Sequence, residues 1–140
     1  MIQRFACLVA VALAALSAPA HAANWPSKPI RIVVPFAAGG AADVWARIIA
    51  EHLSGALKQS VVVENRGGGN GIIGSEAAAR APADGYTLVI GYAGPFSINP
   101  GLVANLPYDV VKDFTPLTLL AASQNVLVVH PSFQIGRAHV

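Results

Sequence analysis

Apolar residues along this chain fall into blocks with two different periods. Ile30-Arg31-Ile32-Val33-Val34 is β-branched and bounded by Pro29 and Pro35, which predicts a strand, central in its sheet. Gly39-Gly40 then breaks the chain. From about 41 to 58 the spacing becomes helical and groups Trp45, Ile48, Ile49, Leu53, Ala56 and Leu57 on one face. Asp43, Arg47 and Glu51 make i,i+4 pairs on the opposite face. Val61-Val62-Val63 is a second short strand, residues 66–74 are glycine-rich, and a second helix emerges at about 72–81. Pro82-Ala83-Asp84-Gly85 is a turn by composition, and Thr87-Leu88-Val89-Ile90 is a third strand. Residues 94–107 read as irregular, and 117–122 and 126–129 as further runs of strand type. The order β-loop-α-β-loop-α-β predicts an α/β fold: a parallel sheet with helices packed on its faces.

The ends of the chain read differently. Arg4, an apolar run over residues 5–16, Pro19 and Ala20-His21-Ala22 follow the order of a secretory signal cleaved after Ala22 or Ala23. The run is shorter than the roughly 20 residues a membrane-spanning helix needs. Cys7 lies inside it with no lipobox, so the mature chain has no thiol chemistry. Ile135-Gly136-Arg137-Ala138-His139-Val140 is one translation of ATC GGA AGA GCA CAC GTC, the start of a common sequencing adapter. The expected organisation is therefore a signal over 1–22, one exported domain over 23–134, and a non-native tail over 135–140.

Trimming the ends changes the bulk properties. The net charge of +2 and the pI near 9.0 rest on Arg4 and Arg137. Between Asn24 and Gln134, seven basic residues balance seven acidic ones. No basic patch is left to argue for nucleic acid or a membrane surface.

Ligands of open parallel sheets bind outside the carboxyl ends of the strands. Three such ends carry loops short of side chains: residues 35–43, 67–74 and 91–97. Glycines let backbone N–H groups approach a ligand, and helix N-termini add partial positive charge. Converging loops of this kind suit an anion, most simply a carboxylate, although tight strand-to-helix turns also account for each loop taken singly. Asp43 either accepts a ligand's donor or stabilises the first turn of its helix and pairs with Arg47. Gly69-Asn70-Gly71-Ile72-Ile73-Gly74 spells the dinucleotide fingerprint G-x-G-x-x-G, but no acidic residue follows the next strand, where Ile90-Gly91-Tyr92 stands. His52 reads as a core or boundary histidine near the apolar helix face, and His130 precedes Pro131 with no cysteine or carboxylate motif beside it in sequence. No hydrolase motif or metal-ligand spacing is present.

Ordered blocks then carry a resemblance. They are Trp25-Pro26-Ser27-Lys28-Pro29-Ile30-Arg31, Val34-Pro35-Phe36-Ala37-Ala38-Gly39-Gly40 with Asp43, Val61-Val62-Val63-Glu64-Asn65-Arg66, and Ala83-Asp84-Gly85-Tyr86-Thr87-Leu88. Asn99-Pro100, Leu106-Pro107-Tyr108-Asp109, Asp113-Phe114-Thr115-Pro116 and Val126-Leu127-Val128-Val129-His130-Pro131 continue the set. Together they resemble the substrate-binding proteins of tripartite tricarboxylate transporters, the Bug family. The resemblance implies a periplasmic-binding-protein-like, type II Venus flytrap of two domains, of which this chain holds the first up to the interdomain crossover. It implies a non-enzymatic, extracytoplasmic receptor for a small organic acid (a di- or tricarboxylate, amino acid or aromatic acid), working with membrane permease components or a sensor. No cofactor, metal, nucleic acid or stable membrane insertion after signal cleavage is implied. Carried over residue by residue, the ligand-binding positions are Phe36, Ala37, Gly39, Gly40 and Asp43, then Gly69, Gly71 and Gly74, with Gly91, Gly94 and Asn99. The family often has proline after its Glu-Asn-Arg motif, where Gly67 stands here and loosens the second loop. A secreted α/β enzyme or a nucleotide-binding domain using the 69–74 loop is the alternative, and an adhesion module a third.

Sequencing the locus past the codon for Gln134 is expected to show an open frame diverging from the six terminal residues. A genomic stop codon directly after Val140 would refute the adapter reading.

Overall fold

The computed structural model describes residues 25–122 together with Val126, Val128 and His130. The expected signal at 1–22 and tail at 135–140 lie outside the described residues.

Three strands form one parallel sheet: β1 (Ile30–Val34) lies between β2 (Val61–Asn65) and β3 (Thr87–Val89). Ile32 pairs in register with Val63 on one side and Leu88 on the other. The β-branched run of β1 is central because both of its edges are bonded and both of its faces are covered. Ile30, Ile32, Val33 and Val34 are all at most 1% exposed. Each crossover is a helix, as parallel pairing requires. The first is α1 (Ala41–Leu57), the second α2 (Ile72–Ala79). Before β1, the Ser27 N–H donates to the Tyr86 hydroxyl at 2.8 Å, and Lys28 pairs with Asp84 at 2.9 Å. These contacts fix where the chain enters the sheet beside β3.

α1 departs from expectation in the face it buries. Its core stripe is Ala42, Ala46 and Ala50, flanked by Ile49 and Leu53, against Ile32, Val34 and Ile90. Trp45 and Ile48, expected in the core, are 46% and 41% exposed, and Ala56 is exposed too. Alanines at i, i+4, i+8 let the helix axis approach the sheet, and dense packing then favours that stripe over the bulkier one beside it. His52 follows the larger side chains outward and lies exposed, its Nδ1 2.8 Å from the Ile48 carbonyl oxygen.

Other boundaries differ by small amounts. β2 runs on to Asn65, and β3 stops at Val89, although the Ile90 N–H still reaches the Val33 carbonyl at 3.0 Å. α2 ends at Ala79, two residues early. The stretch expected to be irregular holds a single wide turn at Gly94–Ile98 followed by a short α3 (Asn99–Leu102). It is pinned by the buried Tyr108, whose hydroxyl donates to the Pro95 carbonyl at 2.8 Å, and by Phe96 and Phe114 packed at 4.9 Å. Residues 117–122 are a correction: they form no strand, and Leu117 and Leu119 are 74% and 82% exposed. β propensity needs a neighbouring strand to pair with, and among the described residues none lies beside them. Val126 and Val128 are likewise exposed and outside any strand, while Leu127 and Val129 lie outside the described residues.

Gly74 sets how closely α2 meets the sheet. A Cβ there would come within 2.6 Å of both the Arg66 carbonyl oxygen and Pro35 Cα. Gly74→Ala is expected to destabilise by about 1–3 kcal/mol, as overpacking against backbone does. Gly55→Ala meets nothing within 4 Å and is expected to stabilise α1 by up to about 1 kcal/mol. Urea unfolding of the two variants checks both signs. Equal midpoints would refute the close-packing account.

Candidate functional site

The loops after β1, β2 and β3 meet at the carboxyl edge of the sheet. The first is held by Asp43, which lies in the first turn of α1 yet is only 3% exposed. Its Oδ2 accepts from the Gly39 N–H at 2.8 Å and from Arg47 Nε at 3.0 Å. Its Oδ1 accepts from Asn65 Nδ2 at 3.0 Å. That amide also reaches the Phe36 carbonyl at 3.3 Å, and Asn65 Oδ1 accepts from Arg47 at 3.4 Å. The last residue of β2 thereby locks the loop that follows β1. Gly39, at φ +84°, adopts a backbone that side-chain-bearing residues rarely do, which turns its N–H onto the carboxylate.

With Asp43 turned back onto the loop, no side chain caps α1. Helix geometry leaves the N–H groups of Ala41, Ala42 and Asp43 without intrahelical acceptors. This end of the helix opens on a cleft of about 210 Å³ lined by Phe36, Gly40, Ala41, Ala42 and Tyr92. The rings of Phe36 and Tyr92 meet edge to face, with centroids 5.5 Å apart. The first and third loops thus share a wall.

The second loop is knit to the third. Asn70 Nδ2 donates to Asn99 Oδ1 at 3.0 Å, and Asn99 Nδ2 donates to the Asn70 carbonyl at 3.2 Å. Asn99 is 3% exposed. Gly71, at φ +87°, presses on Pro95, where a Cβ would fall 2.9 Å from the ring. A Cβ on Gly94 would lie 3.2 Å from Asn70 Oδ1. Gly67 backs onto the first loop, 3.3 Å from the Ala37 nitrogen by the same measure.

All three loops named from sequence therefore converge, but their residues divide by surroundings. Phe36 and Gly40 line the cleft, and Ala37, Gly69 and Gly91 are exposed beside it. Gly39, Asp43, Gly71, Gly74, Gly94 and Asn99 are engaged with protein atoms. In the G-x-G-x-x-G segment, Gly71 and Gly74 face Pro95 and Pro35, the close approaches a dinucleotide would otherwise use. Asn65, Asn70 and Tyr92 were not singled out from sequence. An asparagine ending one strand and another between two glycines were the available signals. Among the described residues no group of three or more His, Cys, Asp or Glu is arranged to hold a metal.

Hydrogen bonds from Arg47, then from the Gly39 N–H and Asn65, hold the Asp43 carboxyl at about 2, down from the ordinary 3.8. A value depressed by folding means that the stabilisation is complete above the unfolded value and lost as pH falls through the folded one. Asp43→Asn is therefore expected to be less stable at neutral pH, and to lose less stability than wild type between pH 3.8 and about 2. Glu64, Asp84 and Asp109 are also lowered, by Arg66, Lys28 and Lys112 respectively, and contribute to both proteins alike. Urea midpoints measured across that window check it, and parallel curves would refute the assignment.

Comparison with known proteins follows the same lines. Residues 45–138 match the tripartite tricarboxylate transporter family receptor. Protein BugT of Bordetella pertussis is 39% identical over 126 residues, covering 89% of this chain and 39% of that protein. A second relative, from Bordetella bronchiseptica, is 47% identical over 111 residues, covering 79% of this chain and 33% of its own length. This chain thus spans about two fifths or less of these relatives. Among solved structures, MatC from Rhodopseudomonas palustris with bound malate superposes with a TM-score of 0.65 at 38% identity, over 69% of this chain and 33% of that one. R. palustris Rpa4515 with adipate gives 0.63 at 43% identity, over 66% and 31%. The periplasmic binding protein BugD gives 0.62 at 44% identity, over 66% and 30%. The sheet order, the convergent loops and these matches agree: the chain belongs to the tripartite tricarboxylate transporter receptor family.

Proposed function

We propose that this protein is an extracytoplasmic solute-binding protein that captures a small carboxylate-bearing metabolite. It delivers the ligand to the membrane permease components of a tripartite tricarboxylate-type transporter, or to a sensor. The uncapped N-terminus of α1 carries the reading, because it presents N–H donors and partial positive charge to a cleft at the carboxyl edge of a parallel sheet. Asp43 would otherwise repel an anion there, but Arg47 neutralises it at 3.0 Å. Family membership supports the same class, as do the neighbours solved with malate and adipate.

In this proposal Phe36, Ala37 and Gly40 face the ligand, and Gly39 and Asp43 hold that loop in shape. Gly69, Gly71 and Gly74 form the second wall, with Gly91, Gly94 and Asn99 placing the third. The cycle needs no covalent step and no cofactor; transport follows from different affinities in open and closed domain arrangements. Export to the periplasm follows from the signal over residues 1–22.

Thermal-shift titration of the full-length gene product against di- and tricarboxylates, amino acids and aromatic acids tests the proposal. A ligand at a hundred times its Kd is expected to add about 2.7 kcal/mol, and no shift across the panel would sink it. Gly40→Asp gives a sharper signature. Only ordinary contact, 3.7 Å to the Ala37 carbonyl oxygen, awaits a Cβ at Gly40, and aspartate is a favoured N-cap. The variant is expected to gain a few tenths of a kcal/mol in stability while losing carboxylate binding, because its own side chain takes the donors.

A further inference from the structure

We propose that the flank of α1 carrying Trp45 is an internal docking surface, covered in the whole protein by an apolar face of the chain that follows residue 134. Helix geometry separates two flanks of α1. On one, Asp43 and Arg47 bond Asn65, and the Ser54 hydroxyl accepts from the Val61 N–H at 3.1 Å, so that flank lies along β2. The other carries Trp45, Ile49, His52 and Ala56, at the four-three-four spacing of a packed helix seam, with Ile48 beside them. This second flank holds no Asp, Glu, Lys or Arg. His52 turns its Nδ1 to the Ile48 carbonyl oxygen of its own helix, at 2.8 Å. Ile49 already packs against the core on the sheet side, so an apolar layer laid on Trp45 and Ile48 would extend one core.

The sheet beneath is covered unevenly. β2 and β3 lie on opposite sides of β1, and right-handed crossovers therefore put α1 and α2 on opposite faces. α1 packs on β1 and β2, and α2 on β1 and β3. Each face is left with one thinly covered strand. On the α2 face it is β2, where Val62 is 51% exposed beside Arg31 and Glu64, paired at 3.1 Å, with Arg66 also on Glu64. Charges of this kind suit a margin that stays in water. On the α1 face it is β3, where Leu88 is half-buried and the flank overlooking it is the apolar one. Trp45 is 46% and Ile48 41% exposed there, and contiguous apolar surface of this sort marks an interaction. The occupant follows from length. This chain covers 39% of BugT and 33% of the second relative, so most of the length of such proteins lies outside it. A segment tethered to the same molecule reaches the flank at a high effective concentration, with no partner to recruit.

Hydroxyl-radical footprinting of the purified full-length gene product tests this without a substitution. Trp25 is 53% and Trp45 46% exposed in this structure, so the two react alike if nothing more covers either. Each rate is divided by that of the same residue in the urea-unfolded protein. Trp45 is expected to be protected about tenfold or more, and Trp25 about threefold or less. Protection of Trp45 no greater than that of Trp25 overturns the proposal, and so does a gene product that ends at Val140. The labelling is repeated across about a hundredfold dilution. Constant protection supports cover from within the molecule, whereas protection lost on dilution assigns the flank to a second copy and overturns the proposal. Ile48 replaced by the photoactivatable benzoylphenylalanine is expected to crosslink to a peptide beyond residue 134 of the same molecule. Crosslinks confined to residues 25–134, crosslinks to a second molecule, or none at all overturn it.

Discussion

One buried carboxylate organises the carboxyl edge of this sheet. Asp43 joins three pieces of chain that are distant in character: a glycine turn, a helix and the end of a neighbouring strand. Its partners are a backbone N–H, a guanidinium and a side-chain amide, so both oxygens are satisfied although the residue is almost fully buried. A buried charge without such partners would be strongly destabilising. The arrangement also decides what the helix end does. An aspartate in the first turn ordinarily stabilises the helix by charge–dipole interaction, and it still does so here. Because it points back to Gly39 rather than capping its own helix, the first N–H groups stay uncapped by any side chain. Arg47 then cancels the charge that would keep an anion away.

That arrangement depends on the packing beneath it. Asp43 is adjacent to Ala42, the first residue of the alanine stripe that lies on Ile32 and Val34. The stripe fixes the rotation of α1, and the rotation puts Asp43 inward and the helix terminus at the mouth of the cleft. A core face of large side chains would rotate the helix and move its first turn. The exposed Trp45 and Ile48 are the counterpart of this choice. On the other side, the bare Gly74 lets α2 sit against Pro35 and Arg66, which brings the second loop up to the first.

The sequence made much of this legible, and the reasons it stopped are physical. A β-branched run between two prolines could only be a strand, and short helical crossovers could only join parallel neighbours, so β1, its central place and the fold class followed. Three glycine-rich loops on one edge pointed to the site. The buried face of α1 is not legible from side-chain size, because the closeness of helix and sheet favours alanine. The unpaired state of 117–122 is not legible either, because β propensity says nothing about whether a partner strand is at hand. The links through Asn65, Asn70 and Asn99 were illegible for another reason. A short amide serves wherever topology happens to bring two loops together, and only the assembled sheet shows which loops those are.

Glycine richness at a sheet edge therefore has two distinct meanings that sequence alone merges. Gly71, Gly74 and Gly94 are small because protein atoms occupy the space where a side chain would be. Gly40 is small where a side chain would find room, with only ordinary contact waiting for a Cβ. Room for a Cβ is not by itself a mark of function, since Gly55 has it too, near the other end of α1; Gly40 has it at the carboxyl edge of the sheet, beside the cleft. It stands at the N-terminus of a long helix, beside two aromatic rings and with the local carboxylate already neutralised, which is the setting the proposed carboxylate capture relies on. The packed glycines hold the three loops in place, and Gly40 leaves room beside the helix end.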